Sequence, residues 1–384
     1  SSLGMIDSFY CLRHNTIIGC YNTGDINAYS GGSAYCGGIA SQCYANVESC
    51  YNTGDIAIHC SDKAAHQGGI VSDLKDSNAR VINCYNLGNT AAGSSYGAII
   101  GSGYGSASNN RIVNCYALEG VGDKGEDVNN GCVTVLPEAD MKAALFVAKL
   151  HNGADTFNMD VAGEDAINGG YPVLAWQGGT PVYAVKLALG DHAVADADAL
   201  IAVVSGEALD AVTVSSDNAR YELALPEIAP ADAGVACADN GDRTFTISGT
   251  PTASVSVTFA DAKVSQLGAA LEAADKAYEE IPVSYASGND IADGSKYVSE
   301  DAAQALKEII DAAQEVCADL NASPAEKASA TWAVRAAIVS YKTSIQIAHV
   351  DTTALEAAIE SATEDMNGVE KCAEILKQNF RSEE

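Results

Sequence analysis

The chain repeats a ten-residue block four times within its first 120 residues. The copies read TIIGCYNTGD at 16–25, NVESCYNTGD at 46–55, RVINCYNLGN at 80–89 and RIVNCYALEG at 111–120. A second, glycine-rich block runs in phase with the first, as GGIA at 37–40, GGIV at 68–71, GAIIG at 97–101 and GCVT at 131–134. A period between about 20 and 50 residues predicts units that bury their apolar faces only by stacking on one another, which gives an elongated array.

Each block also predicts strands and ladders. An apolar β-branched residue lies three positions before each cysteine and a tyrosine directly after it, and this alternation predicts a parallel β-helix-like solenoid over residues 1–135. Stacked parallel strands lie about 4.8 Å apart, so equivalent side chains form ladders. The predicted ladder residues are Cys20, Cys50, Cys84, Cys115, Tyr21, Tyr51, Tyr85 and Tyr116. We expect the cysteines to point the same way rather than to bond one another. The tyrosines form either an outward strip for sugar rings or part of the core, and we favour partial burial.

Charge restricts the class of protein further. The formal net charge is −30, which opposes binding to nucleic acid and insertion at an anionic membrane surface. No run of about 18 apolar residues predicts a membrane span. The repeat pattern has already begun at Ser1, without a signal peptide before it. We therefore expect a piece of a longer chain whose signal and anchor lie elsewhere.

The twelve cysteines do not follow the pattern of a small disulfide scaffold. Nine of them lie before residue 133, and Cys237, Cys317 and Cys372 follow singly without a local partner. We expect these three to be buried as small apolar side chains, which an oxygen-poor habitat would allow outside a cell. Among the first nine, Cys11 and Cys43 are candidates for disulfide bonds.

Two segments with their own patterns follow the repeats. Residues 136–180 combine a helical apolar spacing with a short strand, and we expect them to cap the last repeat, with Trp176 in the core of the cap. Residues 181–264 read as short strands between turns, including Asp-Asn-Gly-Asp at 239–242, and predict a β-sandwich.

The last third of the chain is predicted to be helical. Residues 265–349 predict a three-helix bundle, with helix starts at Ser299 and Ser323 and with Trp332 in its core. Residues 350–384 begin a second helical module. The fold class is therefore multidomain, mainly β and then α.

The repeats resemble a known family. The C-Y-N-T-G-D blocks, the G-G-I-V blocks and the closing M-K…F-V…Y-P-V-L-A-W segment, together about residues 10–177, resemble the GLUG-motif repeat proteins. That family occurs in large bacterial surface and secreted proteins, including some immunoglobulin A peptidases. The third copy has Asn89 in place of Asp and the fourth reads ALEG, which indicates that the array is ending. The resemblance implies a β-helix-like module at a bacterial surface and no particular activity.

The later segments resemble spacer modules. Residues 181–264 resemble, by pattern only, the immunoglobulin-like spacers of bacterial surface proteins. ALEAA at 270–274, YVSE at 297–300 and SPAE at 323–326 resemble the FIVAR domain of Gram-positive surface proteins. Some FIVAR modules bind sugars and many act as spacers. Tyr297 lies just before a helix start, so we expect an exposed ring there and predict it as a ligand-binding residue.

The sequence predicts no catalytic residue. Paired carboxylates serve glycosidic cleavage, and the repeat acids are Asp25, Glu48 and Asp55, with Arg80 and Arg111 as an outward basic pair. Acids at these positions are equally typical of solvated turns, which we favour.

The sequence predicts no metal or cofactor residue either. The six histidines lack zinc-ligand spacing. The Asn-Thr-Gly-Asp turns could offer oxygen ligands to Ca²⁺, which leaves calcium as the one ion to test.

The sequence thus predicts a non-catalytic extracellular adhesin or stalk segment at a bacterial cell surface. Its partners would be glycans first, or surface proteins of host or bacterium, held by many weak contacts, with no nucleic acid and no membrane insertion. The alternative is an accessory binding or spacer region of a large secreted glycosidase or peptidase whose catalytic domain lies outside this chain. A β-helix polysaccharide lyase would need acid and base clustered on one face of the array.

Overall fold

The structure is a computed structural model that describes residues 15–60, 65–90, 95–103, 111–121, 125–151, 155–349 and 353–381. The chain is mixed and strand-rich, with parallel sheets first and long helices last. It divides into two compact units, which are Ser1–Ser215 with Leu223–Asp261, and Ser216–Glu222 with Ala262–Glu384. The five predicted domains are a finer division and stay a prediction.

The repeats of the first unit consist of short strands. These are β1 (Thr16–Ile18), β2 (Tyr21–Asn22), β3 (Ile26–Ser30), β4 (Ala34–Gly37), β5 (Ala40–Cys43), β6 (Asn46–Glu48), β7 (Tyr51–Asn52), β8 (Ile56–Cys60), β9 (Ala65–Gly68), β10 (Val71–Leu74), β11 (Val81–Ile82), β12 (Tyr85–Asn86), β13 (Ser95–Gly97), β14 (Ile100–Gly103), β15 (Ile112–Val113), β16 (Tyr116–Leu118) and β17 (Thr134–Leu136). Their sheets run in the orders β1-β6-β11-β15, β2-β7-β12-β16-β17, β3-β8, β4-β9-β13 and β5-β10-β14. Every one of these pairings is parallel.

Equivalent residues of successive repeats lie opposite one another. Ile17 pairs with Val47, Val47 with Val81, and Val81 with Ile112. These side chains pack with Ile70 and its equivalents from the glycine-rich block into one continuous core. The repeats therefore bury their apolar residues against their neighbours, as the period of the sequence predicts.

The residue before each repeat cysteine turns the chain. Gly19, Ser49, Asn83 and Asn114 have φ angles of 64°, 51°, 53° and 52°. This left-handed region is open to glycine and is entered by short polar residues such as asparagine far more readily than by bulky ones. The turn separates the strand before the cysteine from the strand after it. The repeated blocks predict a turn only in their Asn-Thr-Gly-Asp part, after the cysteine.

A mixed segment follows the repeats. It comprises α1 (Glu126–Asn129), α2 (Glu138–Met141), α3 (Ala144–Leu150), β18 (Phe157–Met159), β19 (Val173–Leu174) and two 3₁₀ turns, Gly163–Asp165 and Ala175–Gln177. The one helix suggested by the apolar spacing is two short helices, because Ala143 between them has extended backbone angles. Trp176 is 67% exposed, so its predicted place in a cap core is wrong. Phe146 and Leu150 fill that core instead.

Ten strands follow, of which most form two sheets that complete the first unit and two belong to the second unit. The strands are β20 (Thr180–Leu189), β21 (Ala193–Ala195), β22 (Leu200–Val204), β23 (Leu209–Ser216), β24 (Tyr221–Glu222), β25 (Glu227–Ala229), β26 (Val235–Asp239), β27 (Thr244–Gly249), β28 (Val255–Phe259) and β29 (Lys263–Val264). One sheet has the order β19-β18-β20-β28-β25 with β22 beside β20, and the other has the order β21-β23-β27-β26. Val185 and Val257 of the first sheet share a buried core with Val214 and Ile247 of the second. The pair β24 and β29 belongs to the second unit.

The second unit is mainly helical. Its further elements are α4 (Gln266–Glu280), β30 (Val283–Ser284), β31 (Lys296–Ser299), α5 (Glu300–Ala318), α6 (Pro324–Thr343), β32 (Gln346–Ile347) and α7 (Thr353–Arg381). Helices α4, α5 and α6 share a core that includes Leu271, Leu306 and Val334. Both predicted helix starts are confirmed, since the hydroxyl oxygens of Ser299 and Ser323 accept backbone N–H groups of the first turns of α5 and α6.

The buried face of α6 differs from the predicted one. Trp332 is 75% exposed and Val339 is 62% exposed, so the prediction that Trp332 lies in the core is wrong. Thr331, Val334 and Tyr341 face the core instead. Apolar residues of α6, mostly alanine, occur on all sides of the helix. A spacing of 3.6 residues can therefore be drawn along two different faces. The apolar spacing alone therefore does not decide which face of α6 is buried.

Candidate functional site

The cysteine ladder is a structural feature of the repeat core. Cys50, Cys84 and Cys115 are buried and Cys20 is half-buried, all as free thiols. Each thiol donates to the carbonyl oxygen two residues before it, over sulfur-to-oxygen distances of 3.6, 3.2, 3.3 and 3.4 Å along the ladder. Burial raises the pKa of the Cys84 thiol well above its usual value. Hydrogen bonding with the thiols of Cys20 and Cys84 instead lowers the pKa of Cys50 to about 4. Cys50 and Cys84 are both fully buried, so no substrate reaches their sulfur atoms, and the ladder serves packing.

The remaining cysteines divide by burial. Cys317 is buried as predicted and Cys237 is half-buried, but Cys372 is exposed, which contradicts the prediction for that residue. The thiol of Cys43 is buried and donates to the carbonyl oxygen of Ala45 at 3.4 Å. Cys11 lies outside the described residues.

The repeat tyrosines stack into a second ladder. The ring centroids of Tyr21 and Tyr51 lie 5.3 Å apart, and those of Tyr51 and Tyr85 lie 5.1 Å apart. Tyr116 instead meets the ring of Phe146 edge-on, at 4.9 Å. Burial raises the pKa of Tyr51 to about 12. Since Tyr51, Tyr85 and Tyr116 are all buried, the favoured prediction of burial is confirmed for these three.

Only the first rung of this ladder is open to solvent. Tyr21 is 42% exposed, and its ring centroid lies 5.8 Å from that of Trp176. The indole Nε1 of Trp176 donates to the carbonyl oxygen of Gly19 at 3.2 Å, which orients the ring although it is exposed. The two rings form an aromatic pair at the surface of the first unit.

An asparagine ladder lies beside the tyrosines. The side-chain N–H of Asn22 donates to the side-chain oxygen of Asn52 at 2.8 Å. The side-chain N–H of Asn52 donates in turn to the side-chain oxygen of Asn86, also at 2.8 Å. Asn52 and Asn86 are fully buried. A Cβ on Gly69 would lie 2.0 Å from the carbonyl oxygen of Ala98 and 2.4 Å from the side chain of Asn86, so glycine is needed here by the stacked backbone of the next repeat as well as by the ladder.

The acids of the repeated turns bind backbone groups. Asp25 accepts the backbone N–H of Asp55 at 2.9 Å, and Asp55 accepts that of Asn89 at 2.8 Å. Within the described residues, no cluster of three or more histidine, cysteine, aspartate or glutamate side chains is arranged to hold a metal ion. Calcium binding at these turns stays untested.

A polar cavity of about 280 Å³ opens where three successive repeats begin. We call it the corner pocket, and its lining residues are Asn15, Thr16, Tyr44, Asn46, Asp76, Asn78 and Ala79. These residues directly precede or begin the first, second and third blocks, so parallel stacking brings them side by side. The cavity is close to the smallest size usual for small-molecule sites, which is about 300 Å³.

Backbone hydrogen bonds hold the walls of the corner pocket in place. The backbone N–H of Asn46 donates to the carbonyl oxygen of Asn15 at 3.2 Å, and its side-chain oxygen accepts the N–H of Arg80 at 3.0 Å. The carboxylate of Asp76 accepts the N–H of Asn78 at 2.9 Å. The lining groups are therefore placed by the fold before any ligand arrives.

Arg111 bonds to the backbone of the pocket wall at Asp76. Its guanidinium donates to the carbonyl oxygens of Leu74 at 2.9 Å and of Asp76 at 2.6 Å. The side chain is buried, and this burial lowers the pKa of Arg111, against the attraction of Asp76 and Asp73. The prediction that Arg80 and Arg111 form an outward basic pair is therefore wrong for Arg111, whose side chain is buried. Arg80 is exposed.

The corner pocket combines an aromatic ring with polar planar groups. The half-buried ring of Tyr44 can cover the C–H face of a sugar ring. The amides of Asn46 and Asn78 and the carboxylate of Asp76 can donate to and accept from neighbouring hydroxyl groups. None of these residues was predicted as a site, because all but Asn46 lie outside the repeated blocks. The available signal was their position just before each block.

Tyr297 does not have the exposure on which its prediction rested. The side chain is buried, and its hydroxyl donates to the side-chain oxygen of Gln346 at 2.7 Å. The backbone of Gly288 lies against the ring, since a Cβ there would be only 2.9 Å from ring atoms of Tyr297. The expectation of an exposed ring at this position is therefore wrong, and Tyr297 does not offer its face to a ligand.

The second unit has a different kind of depression. A groove of about 430 Å³ lies between α5 and α6, and its walls are mostly alanine, with Leu306, Ile309 and Tyr341. Such a surface lacks the convergent polar groups that a sugar requires. The corner pocket is thus the better candidate for a glycan.

Comparison with family models, with curated proteins and with solved structures found no match. Among the described residues, no helix is both long enough and apolar enough to cross a bilayer.

Proposed function

We propose that this chain is a non-catalytic, extracellular segment of a bacterial surface adhesin, which binds a glycan in the corner pocket. The observation that carries the proposal is the single cavity in which the ring of Tyr44 lies with the side chains of Asn46, Asp76 and Asn78. Aromatic rings with amide and carboxylate groups match the apolar face and the hydroxyl pairs of a sugar.

The architecture supports a display role. The in-register parallel pairing of equivalent strands favours a GLUG-type β-solenoid over residues 1–135, with residues 136–180 as its cap. The two facing sheets favour an immunoglobulin-like sandwich over residues 181–264. Helices α4 to α6 favour a FIVAR-like three-helix bundle, and α7 would begin a second helical module. Such a series of modules suits weak multivalent binding at a distance from a cell.

An accessory role remains the alternative. A binding or spacer region of a secreted glycosidase or peptidase would use the same pocket, and it differs by a catalytic domain elsewhere in the gene product. A lyase reading has less support, because Asp25 and Asp55 accept backbone N–H groups and Arg111 is buried on carbonyl oxygens. These contacts leave few acid and base groups free to meet on one face.

A glycan array probed with the full chain and two matched variants tests the proposal. Tyr44→Ala removes the ring from the pocket, and Tyr29→Ala removes a ring of the same size that is 79% exposed and lies outside the pocket. We expect the wild type and Tyr29→Ala to bind the same sugars. Tyr44→Ala should bind at least about fivefold more weakly, since loss of an aromatic contact costs roughly 1 kcal/mol or more.

Each other outcome has a definite meaning. Equal binding by Tyr44→Ala and the wild type would move the site out of the corner pocket. Failure of the wild type to bind any sugar would reject the glycan proposal and leave a spacer or a protein-directed adhesin. Asp76→Asn is a useful third variant, because it removes the charge but keeps an oxygen that can accept the Asn78 N–H.

A further inference from the structure

Helix α7 carries one continuous apolar stripe along its exposed surface. All its side chains that the structure describes are exposed. The α7 stripe consists of Ile359, Ala362, Met366, Val369, Ala373 and Leu376, spaced alternately by three and four residues. Its four large members are 57–68% exposed. A mean spacing of 3.5 residues is the heptad pattern of coiled coils, in which such a stripe packs against a second helix.

We propose that α7 pairs with α7 of a second copy of this chain as an antiparallel coiled coil. In that arrangement Ile359 lies opposite Leu376 of the second copy, and Met366 lies opposite Val369. Ala362 lies opposite Ala373. Large side chains then meet large ones and small meet small, so one stripe is complementary to itself when reversed.

Charges beside the stripe favour the antiparallel direction. Glu356 and Lys377 flank the stripe on the same side, near its two ends. Reversing one helix therefore places Glu356 beside Lys377 of the second copy, and the twofold symmetry makes this pair twice. A parallel pair would instead bring Asp365 beside Glu370 of the second copy, which is a like-charge contact on both sides.

The overall charge of the chain opposes association at low salt. Each copy carries a formal net charge of −30. At an ionic strength near 0.15 M, repulsion between exposed charges is screened beyond about 8 Å. The dimer should therefore be measured at or above that ionic strength, and added salt should strengthen it, because apolar contact rather than ion pairing drives it.

Sedimentation equilibrium of the full chain provides the test. We expect the mass of the wild type to rise from 39.5 kDa towards twice that value as the protein concentration increases. Met366→Lys puts a charge at the centre of the stripe and should weaken the dimer at least about tenfold, and lysine preserves helix propensity. Ile375→Lys is the matched control, because Ile375 is 56% exposed on α7 but lies outside the stripe. It should dimerise like the wild type.

Charge reversal tests the direction of the pair. Lys377→Glu should weaken the dimer, and combining it with Glu356→Lys should restore it. A wild type that stays at 39.5 kDa at every concentration would overturn the proposal and leave the α7 stripe to the core of the second helical module predicted over residues 350–384. Equal behaviour of Met366→Lys and Ile375→Lys would overturn the role of the stripe, and a double reversal that does not recover would overturn the antiparallel direction. These outcomes do not depend on glycan binding.

Discussion

The carboxylate of Asp127 accepts the backbone N–H of Ile99 at 2.8 Å, in the position that a carbonyl oxygen of the next repeat occupies elsewhere. Ile39 donates to the carbonyl oxygen of Ile70 at 2.9 Å, and Ile70 donates to that of Ile99 at 3.0 Å. Asp127 also accepts the two N–H groups on either side of Ile99, both at 2.9 Å. The side chain thus satisfies the N–H groups of the turn that joins β13 to β14.

Removing this carboxylate should destabilise the repeats. Asp127→Ala leaves three buried N–H groups without an acceptor, so we expect the free energy of unfolding to fall by about 3 kcal/mol. Asp127→Asn keeps one acceptor oxygen, so its free energy of unfolding should fall by less. Urea denaturation followed by circular dichroism measures both, with Asp140→Ala as a control at an exposed acid. Equal losses for Asp127→Ala and Asp140→Ala would contradict this role of the Asp127 carboxylate.

The tyrosine ladder should make the protein sensitive to alkali. Burial raises the pKa of Tyr51 and Tyr116 to about 12, whereas a tyrosine of the unfolded chain titrates near 10. The folded state then holds these protons more tightly than the unfolded state does. The free energy of unfolding should therefore keep this contribution below about pH 10 and lose it as the pH rises towards 12.

Phenolate absorbance during a pH titration checks this directly. Tyr51→Phe should remove one of the late-titrating groups, and Tyr29→Phe should remove a group that is exposed in the folded state. If both variants lost absorbance at the same pH, the Tyr51 ring would not be buried as the structure has it.

The core of the helical unit should depend on Val334 and hardly at all on Trp332. Val334→Ala opens a space where α4, α5 and α6 meet, and we expect it to lower the free energy of unfolding by about 2 kcal/mol. Trp332→Ala removes a 75% exposed ring and should change it by less than about 0.5 kcal/mol. Thermal unfolding measures both. A larger loss for Trp332→Ala than for Val334→Ala would instead support burial of the face that the sequence predicts.

Thiol reactivity should separate Cys372 from the cysteine ladder. Cys372 is exposed, whereas Cys50, Cys84 and Cys115 are buried in the repeat core. An alkylating reagent should therefore label Cys372 quickly in the native protein, and Cys50, Cys84 and Cys115 only after unfolding. Peptide mapping by mass spectrometry measures the order. Rapid labelling of Cys84 in the native protein would show that the core opens. The variant Cys372→Ser should lose the rapidly labelled site, which identifies that site.

The pairing of the repeats could be predicted, but the corner pocket could not. Val47 lies opposite Val81 because both stand three positions before a cysteine, and a repeated spacing sets a parallel register. Tyr44, Asp76 and Asn78 have no such spacing. They come together only because successive repeats stack, which brings the segments before each block to one corner of the first unit.

Burial of single aromatic residues was the least predictable property. The sequence pattern placed Trp176 and Trp332 in cores and Tyr297 at the surface, and the structure reverses all three. Side-chain burial depends on elements that are distant in the chain. Tyr297 is buried against the backbone of Gly288 and donates to Gln346, and these contacts leave no local trace in the sequence.

By itself, the sequence determined the period of the array, the partners in its ladders and the starts of α5 and α6, because spacing and capping are local properties of the chain. Only the tertiary structure decided which face of α6 is buried, that Arg111 turns inward and that Asp127 accepts the N–H groups of the turn between β13 and β14. The reason is physical: a buried polar group is stable only where distant backbone atoms satisfy its hydrogen bonds, and folding alone brings those atoms within reach.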